Sequence, residues 1–235
     1  MFNKYIYPPI LTGVIAGLII SIISIFVLYP IIHEAELLET SGNIQIDAHA
    51  MGHLDDASHE HIDNQAVLKY FQQRNFITLM VNICITVGYA FVIIGLTNLL
   101  KINIRLKSAM VIGLVGFICF YLLPSIALIP QLPGAQYTQG LYERQLIWLS
   151  IVFLSLIGFI VIYINSSNIK RLIGLVLVFL PLTLILILND NISMEVSNSL
   201  HYKFIYYTFF SNLIMWFTIA ITINFIMNRK VSYNV

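Results

Sequence analysis

Residues 8–36 read PPILTGVIAGLIISIISIFVLYPIIHEAE, and this stretch decides the fold. From Pro8 to Tyr29 the run is apolar and carries no charge. That length crosses the ~30 Å hydrocarbon layer of a membrane as one helix. Prolines at its start lose nothing, because the first N–H groups of a helix lack partners anyway, and Pro30 is expected to close it. Immediately beyond, His33, Glu34 and Glu36 turn the chemistry from hydrocarbon to ligand.

Outward from that stretch the same pattern recurs. The 235 residues are 59% hydrophobic and only 10% charged, with a mean hydropathy of +0.87. This excludes a soluble domain and a peripheral protein, since the apolar residues come in membrane-length runs. Six spans are predicted, at about 8–29, 76–100, 108–129, 145–164, 172–188 and 204–227. They make an all-α membrane protein, a single bundle of about six transmembrane helices over residues 1–235, with one long extracytoplasmic loop at 31–75. The first run is too long for a signal-peptide core and no small-residue cleavage pattern follows, so it reads as a retained helix. Cys84 and Cys119 both lie in apolar runs and imply no disulfide. Gly13, Gly17, Ser21 and Ser24 form a small-residue stripe on the first helix, read as a contact within the bundle.

Orientation follows from the charges. Lys4, Lys101, Arg105, Lys107, Lys170, Arg171, Arg229 and Lys230 fall on one set of connections, which hold none of the acids. Lys69, Arg74, Arg144 and Lys203 share the opposite set with every Asp and Glu. The positive-inside rule therefore predicts cytoplasmic N- and C-termini in a bacterial inner membrane and puts the long loop outside.

That loop is the chemical centre of the sequence. His33 to Asp63 holds five of the six histidines and eight of the eleven acids, with no Lys or Arg. Imidazoles and carboxylates without a neutralising base suit a divalent transition metal and concentrate cations locally. His49 and His53 would share a face of a helical turn, while His59 and His61 share one side of an extended segment. Asp55 and Asp56 stand between the pairs, and Glu34 and Glu36 are placed to pass an ion from loop to bundle. The other readings of the loop are a solvated acidic surface and a pH sensor. Such spacings permit a metal site without specifying one, and structural zinc sites usually include cysteine, which this loop lacks.

No predicted span has a charged residue near its centre, although ion-coupled transporters usually bury one there. Candidates for an ion path are uncharged: Met80, Asn82, Cys84 and Thr86 on the second span, Ser125 beside Pro124, and Asn212, Met215 and Thr218 on the sixth. Three prolines and a glycine between Pro124 and Gly134 predict an extended, kinked segment on the loop side, where Glu143 and Arg144 follow. Either these two dock the loops through an ion pair, or Glu143 simply starts a helix.

At these residues the chain resembles the CbtA family, predicted subunits of a cobalt transporter. The apolar helix leading into His33-Glu34-Ala35-Glu36, the His-rich acidic loop, the Pro-rich run Leu122 to Gly134, Arg144-Gln145 with Trp148, and Asn212-Leu213 with Trp216 carry the likeness. Three positions depart from the family pattern: Gln131 where an acid is expected, Ala127 for a glycine, and Leu182 for a histidine after Pro181. The resemblance implies cobalt uptake linked to cobalamin synthesis and a small membrane partner similar to CbtB.

The expected function is thus a membrane subunit of divalent metal uptake, not an enzyme. His49, His53, Asp55, Asp56, His59 and His61 collect the ion, and His33, Glu34 and Glu36 receive it. The cargo is cobalt, with nickel or zinc as other candidates, and no resident cofactor or nucleic acid is expected. Lacking a G-x-x-x-x-G-K-[ST] motif, the chain hydrolyses no nucleotide itself. Energy would come from a partner or from the membrane potential, about 4.6 kcal/mol for a divalent ion at 100 mV. The rival is a non-transporting accessory subunit of a larger membrane complex. A di-iron membrane enzyme fits poorly, since it needs histidines from several segments.

Overall fold

The computed structural model describes residues 6–38, 64–132, 140–188 and 199–232, which form helices and the connections between them with no strand among them. We number the helices α1 (Tyr7–Leu38), α2 (Asn64–Leu99), α3 (Leu106–Ala127), α4 (Leu141–Ile164), α5 (Asn168–Leu188) and α6 (Ser199–Ser232). Each contains a segment long and apolar enough to span a membrane, so the all-α bundle expected from composition is what the chain forms.

The ends differ from expectation on the side of the long loop. Pro30 does not close α1, which continues to Leu38, and α2 begins at Asn64, well before Phe76. Hydropathy marks where a helix is apolar, and the polar turns that extend it beyond the membrane escape that measure. Pro30 is tolerated because the turn before it is widened. Ser24–Leu28 is a π-helical turn in which the Tyr29 N–H bonds the Ser24 carbonyl. The same device recurs in α3, where Ile118–Leu122 is a π turn, the Leu123 N–H bonds the Ile118 carbonyl, and Pro124 follows inside the helix. A proline removes one N–H and crowds the preceding turn, and local π adjustment absorbs both.

In space, α1 lies between α2 and α6, and α6 packs in turn on the first half of α3. The shared core is Ala16, Ile20, Ile93, Ile94, Phe117, Met215, Trp216, Ile219 and Ile223. Trp216 is its largest fully buried member; the rings of Tyr89 and Phe120 lie 4.8 and 5.4 Å from it. Gly113 lets α6 approach, since a Cβ there would sit 2.8 Å from that of Ala220. The α4–α5 hairpin packs tightly on itself and meets α3 through its second half, where Leu123 and Ala127 join Ile151, Val178 and Leu182.

The small-residue stripe of α1 faces α2, as read from the sequence. A Cβ on Gly17 would lie 2.7 Å from the backbone of Ile83. Thr86 Oγ1 donates to the Gly13 carbonyl at 2.7 Å, Ser21 Oγ donates to the Gly17 carbonyl at 2.7 Å, and Asn82 Nδ2 donates to Ser21 Oγ at 3.2 Å. Without a hydrophobic drive between helices in lipid, close approach and such bonds hold the pair together.

Candidate metal-capture site at the acidic end of the bundle

The last turns of α1 carry His33, Glu34 and Glu36 to the end of the bundle where the long loop leaves it. Helical spacing puts His33 and Glu36 on one face: His33 Nδ1 lies 3.9 Å from Glu36 Oε2. The same carboxylate oxygen accepts from Arg74 Nη1 of α2 at 2.9 Å. The guanidinium also sits 4.7 Å above the Tyr29 ring, and that ring stacks on His33 at 5.8 Å with only 6° between planes. Tyr29, His33, Glu36 and Arg74 therefore form one polar cluster that ties the two ends of the loop together. Glu34 is exposed beside it.

The sequence reading brought the two histidine pairs and the acids together by spacing alone. His49, His53, Asp55, Asp56, His59 and His61 lie outside the described residues. Among the described residues no three His, Cys, Asp or Glu side chains are grouped so as to hold a metal ion.

Arg74 was missed as a functional partner. It is 38 positions from Glu36, and only the overlap of two helix extensions beyond the membrane brings them together. His201 was missed too. It begins α6 next to Leu200, which packs with Ile31, Ala35 and Leu132 below the polar cluster. Its Nε2 is buried and has no hydrogen-bond partner among the described residues, and the same holds for Oε1 of Gln131 beside Leu132. The signal available in the sequence was the position of this sixth histidine, on the acid-bearing side of the chain.

Among the described residues, the interior below holds no group of His, Cys, Asp or Glu side chains that could ligate an ion. Buried polar side chains among the described residues are all hydroxyls: Thr12, Ser21, Thr86, Thr97, Ser155 and Ser211. The uncharged path candidates are dispersed. Met80 and Cys84 are exposed on the outside of α2, and Met215 is in the apolar core. Ser125 and Asn212 bond carbonyls of their own helices. Leu182, where the family pattern has a histidine, is buried among Leu123, Ala127, Ile151 and Val178. Glu143 lies in the first turn of α4, a favourable place for an acid at the positive end of a helix dipole.

A six-helix membrane bundle with a His- and acid-bearing junction is the setting in which the family comparison is informative. The family model described as "Probable cobalt transporter subunit (CbtA)" matches residues 2–228. The chain belongs to the CbtA family. The match covers nearly the whole chain, taking in the first five helices, the loop and all but the last four residues of α6. No curated protein and no solved structure matches the chain. As a CbtA member it is a multi-pass membrane protein of a family described as probable cobalt transporter subunits, and a subunit implies partners.

Proposed function

We propose that this chain is the capture subunit of a cobalt uptake system in the bacterial inner membrane. Both termini face the cytoplasm and the loop faces outward, as the segregation of basic residues requires under the positive-inside rule. His49, His53, His59 and His61 with Asp55 and Asp56 take the ion, and His33, Glu34 and Glu36 receive it at the bundle mouth. Nickel or zinc would meet the same donors. A small CbtB-like membrane protein is the partner expected to carry the ion further.

The junction at Glu36 supports this reading best. The 2.9 Å bond from Arg74 ties the end of α1, just before the loop, to α2, the helix that follows it. Glu36 is thereby held half-exposed at the bundle mouth, and a cation leaving the loop competes with Arg74 for its carboxylate. Exposed ion pairs are worth only ~0.2–1 kcal/mol, so that competition is not prohibitive.

Calorimetric titration with cobalt, nickel and zinc tests the capture step. The unchanged protein should bind tightly, and the variant with His49, His53, His59 and His61 all changed to Ala should lose at least tenfold in affinity. Equal binding by both would remove the loop from the mechanism. Arg74→Gln gives a second, opposite-signed check. If Glu36 receives the ion, removing its competitor should raise cobalt affinity by ~1.5- to 5-fold, whereas Glu36→Gln should lower it. A fall in both variants would make the pair a structural clamp alone.

A second reading has its own observation. Because no charged side chain is buried among the described residues, this subunit by itself offers no charged relay through the membrane. It would then act as an accessory subunit of a larger membrane complex. Cobalt uptake by vesicles holding this chain alone decides between conduction by this subunit and delivery to a partner.

A further inference from the structure

At the end of the bundle opposite the acidic loop, a cleft of about 550 Å³ opens between α2, α3 and α4. Its origin lies in the packing. The first half of α3 leans on α6, while the α4–α5 hairpin meets α3 through the second half, so α4 stands away from α2 toward the basic end. The walls are almost wholly hydrocarbon, with Leu96, Ile112, Val115, Phe159 and Ile160 around the Trp216 ring. The charged and exposed polar character comes from Lys107, Ser108 and Tyr163 at the rim, with the buried Thr97 the other hydroxyl in the lining.

That rim sits in the most one-sided charge environment of the chain. Lys101, Arg105 and Lys107 occupy the α2–α3 connection and the start of α3, and Lys170 and Arg171 the start of α5. None of the eleven acids lies in either segment. The α2–α3 turn is pinned, with Lys101 at φ 51° and the Ile102 N–H bonded to the Thr97 carbonyl at 2.9 Å, a helix-ending arrangement that usually takes glycine. The basic side chains are therefore presented from a fixed backbone.

The geometry points to a binding site for one anionic phospholipid, with an acyl chain in the cleft and the phosphate at Lys107. The volume falls within the ~300–1,000 Å³ of small-ligand sites. It is too small for a partner helix, because a rod ~10–12 Å across fills such a volume in little more than one turn. An extended hydrocarbon chain matches the walls, and a headgroup of negative charge matches the rim. The site is independent of the cobalt reading, which concerns the other end of the bundle.

Trp216 supplies the test, because it lines the cleft and the chain has only two tryptophans. Trp148→Phe makes Trp216 the sole tryptophan, read by excitation at a wavelength where tyrosine does not absorb. The protein is reconstituted in phosphatidylcholine vesicles containing a small fraction of either phosphatidylglycerol or phosphatidylcholine brominated on its acyl chains. Brominated phosphatidylglycerol should quench Trp216 at least threefold more than brominated phosphatidylcholine, and Lys107→Glu should abolish that preference. Equal quenching by the two lipids, or a preference unchanged in Lys107→Glu, would overturn the site. No quenching by either lipid in a protein that runs as a dimer would also overturn it, in favour of a second copy filling the cleft. Native mass spectrometry of the tryptophan-intact protein gives an independent reading: phosphatidylglycerol should be retained by the unchanged chain and lost from Lys107→Glu.

Discussion

Gly13→Leu should lower the unfolding temperature of the purified protein by roughly 7–14 °C, while Gly88→Leu should barely change it. Both glycines lie in membrane-spanning helices, and composition alone does not distinguish them. The difference is what a side chain would meet. At Gly13 a Cβ would collide with the backbone of Val87 on α2, and at Gly88 nothing lies within 4 Å. Overpacking against side chains costs ~1–3 kcal/mol, and here the obstacle is backbone, so the upper end applies. Relief would require α1 to move away from α2, which also breaks the Thr86 bond to the Gly13 carbonyl, a further ~0.6 kcal/mol. For a chain of this length each kcal/mol corresponds to about 2–4 °C. Thermal unfolding in detergent, followed by tryptophan fluorescence, reads the comparison. A Gly13→Leu protein no less stable than Gly88→Leu would mean that α1 and α2 are not joined along this stripe.

The second large effect is on metal capture and follows from proton competition. Only neutral imidazole binds a metal, so each ligating histidine must be deprotonated first. With an ordinary histidine pKa of ~6.5, lowering the pH from 7.5 to 5 weakens binding about thirtyfold for each ligating imidazole, and about a thousandfold for two. The sign is fixed: affinity is full above the imidazole range and lost as the pH falls through it. Carboxylates alone would give a much shallower fall over the same interval, because they titrate mostly below it. Cobalt affinity measured at pH 7.5, 6.5 and 5 thus counts the histidines engaged. Unchanged affinity would exclude His49, His53, His59 and His61 as ligands.

Much of the fold was legible because the membrane imposes it. A run such as Pro8 to Tyr29 has one stable conformation in hydrocarbon, and the small residues on its surface announce a close neighbour. Pro30 misled because a proline reads as a stop, whereas the widened turn before it lets the helix continue; that adjustment belongs to the backbone and leaves no residue-level mark. The candidate site was legible in composition and not in geometry. Spacing paired only the loop histidines, which lie outside the described residues, and the contact of His33 with Glu36 is supplied by the structure. Nor could spacing supply Arg74, whose approach depends on helix extensions that hydropathy does not see. It also passed over His201, because five clustered histidines drew the reading toward the loop.

The π turn at Ile118–Leu122 has a mechanical consequence. It marks the level at which α3 exchanges one neighbour for another, α6 on one side and the α4–α5 hairpin on the other. The hairpin is therefore a lever whose fulcrum is the apolar contact of Leu123 and Ala127 with Ile151. From Ile151 to Tyr163 the arm is about 18 Å long at ~1.5 Å per residue. A tilt of about 5° would move its far end by ~1.5 Å, widening or narrowing the opening beside Lys107. A partner gripping the acidic end of the hairpin would thus change the space at the basic end without any group crossing the membrane between them.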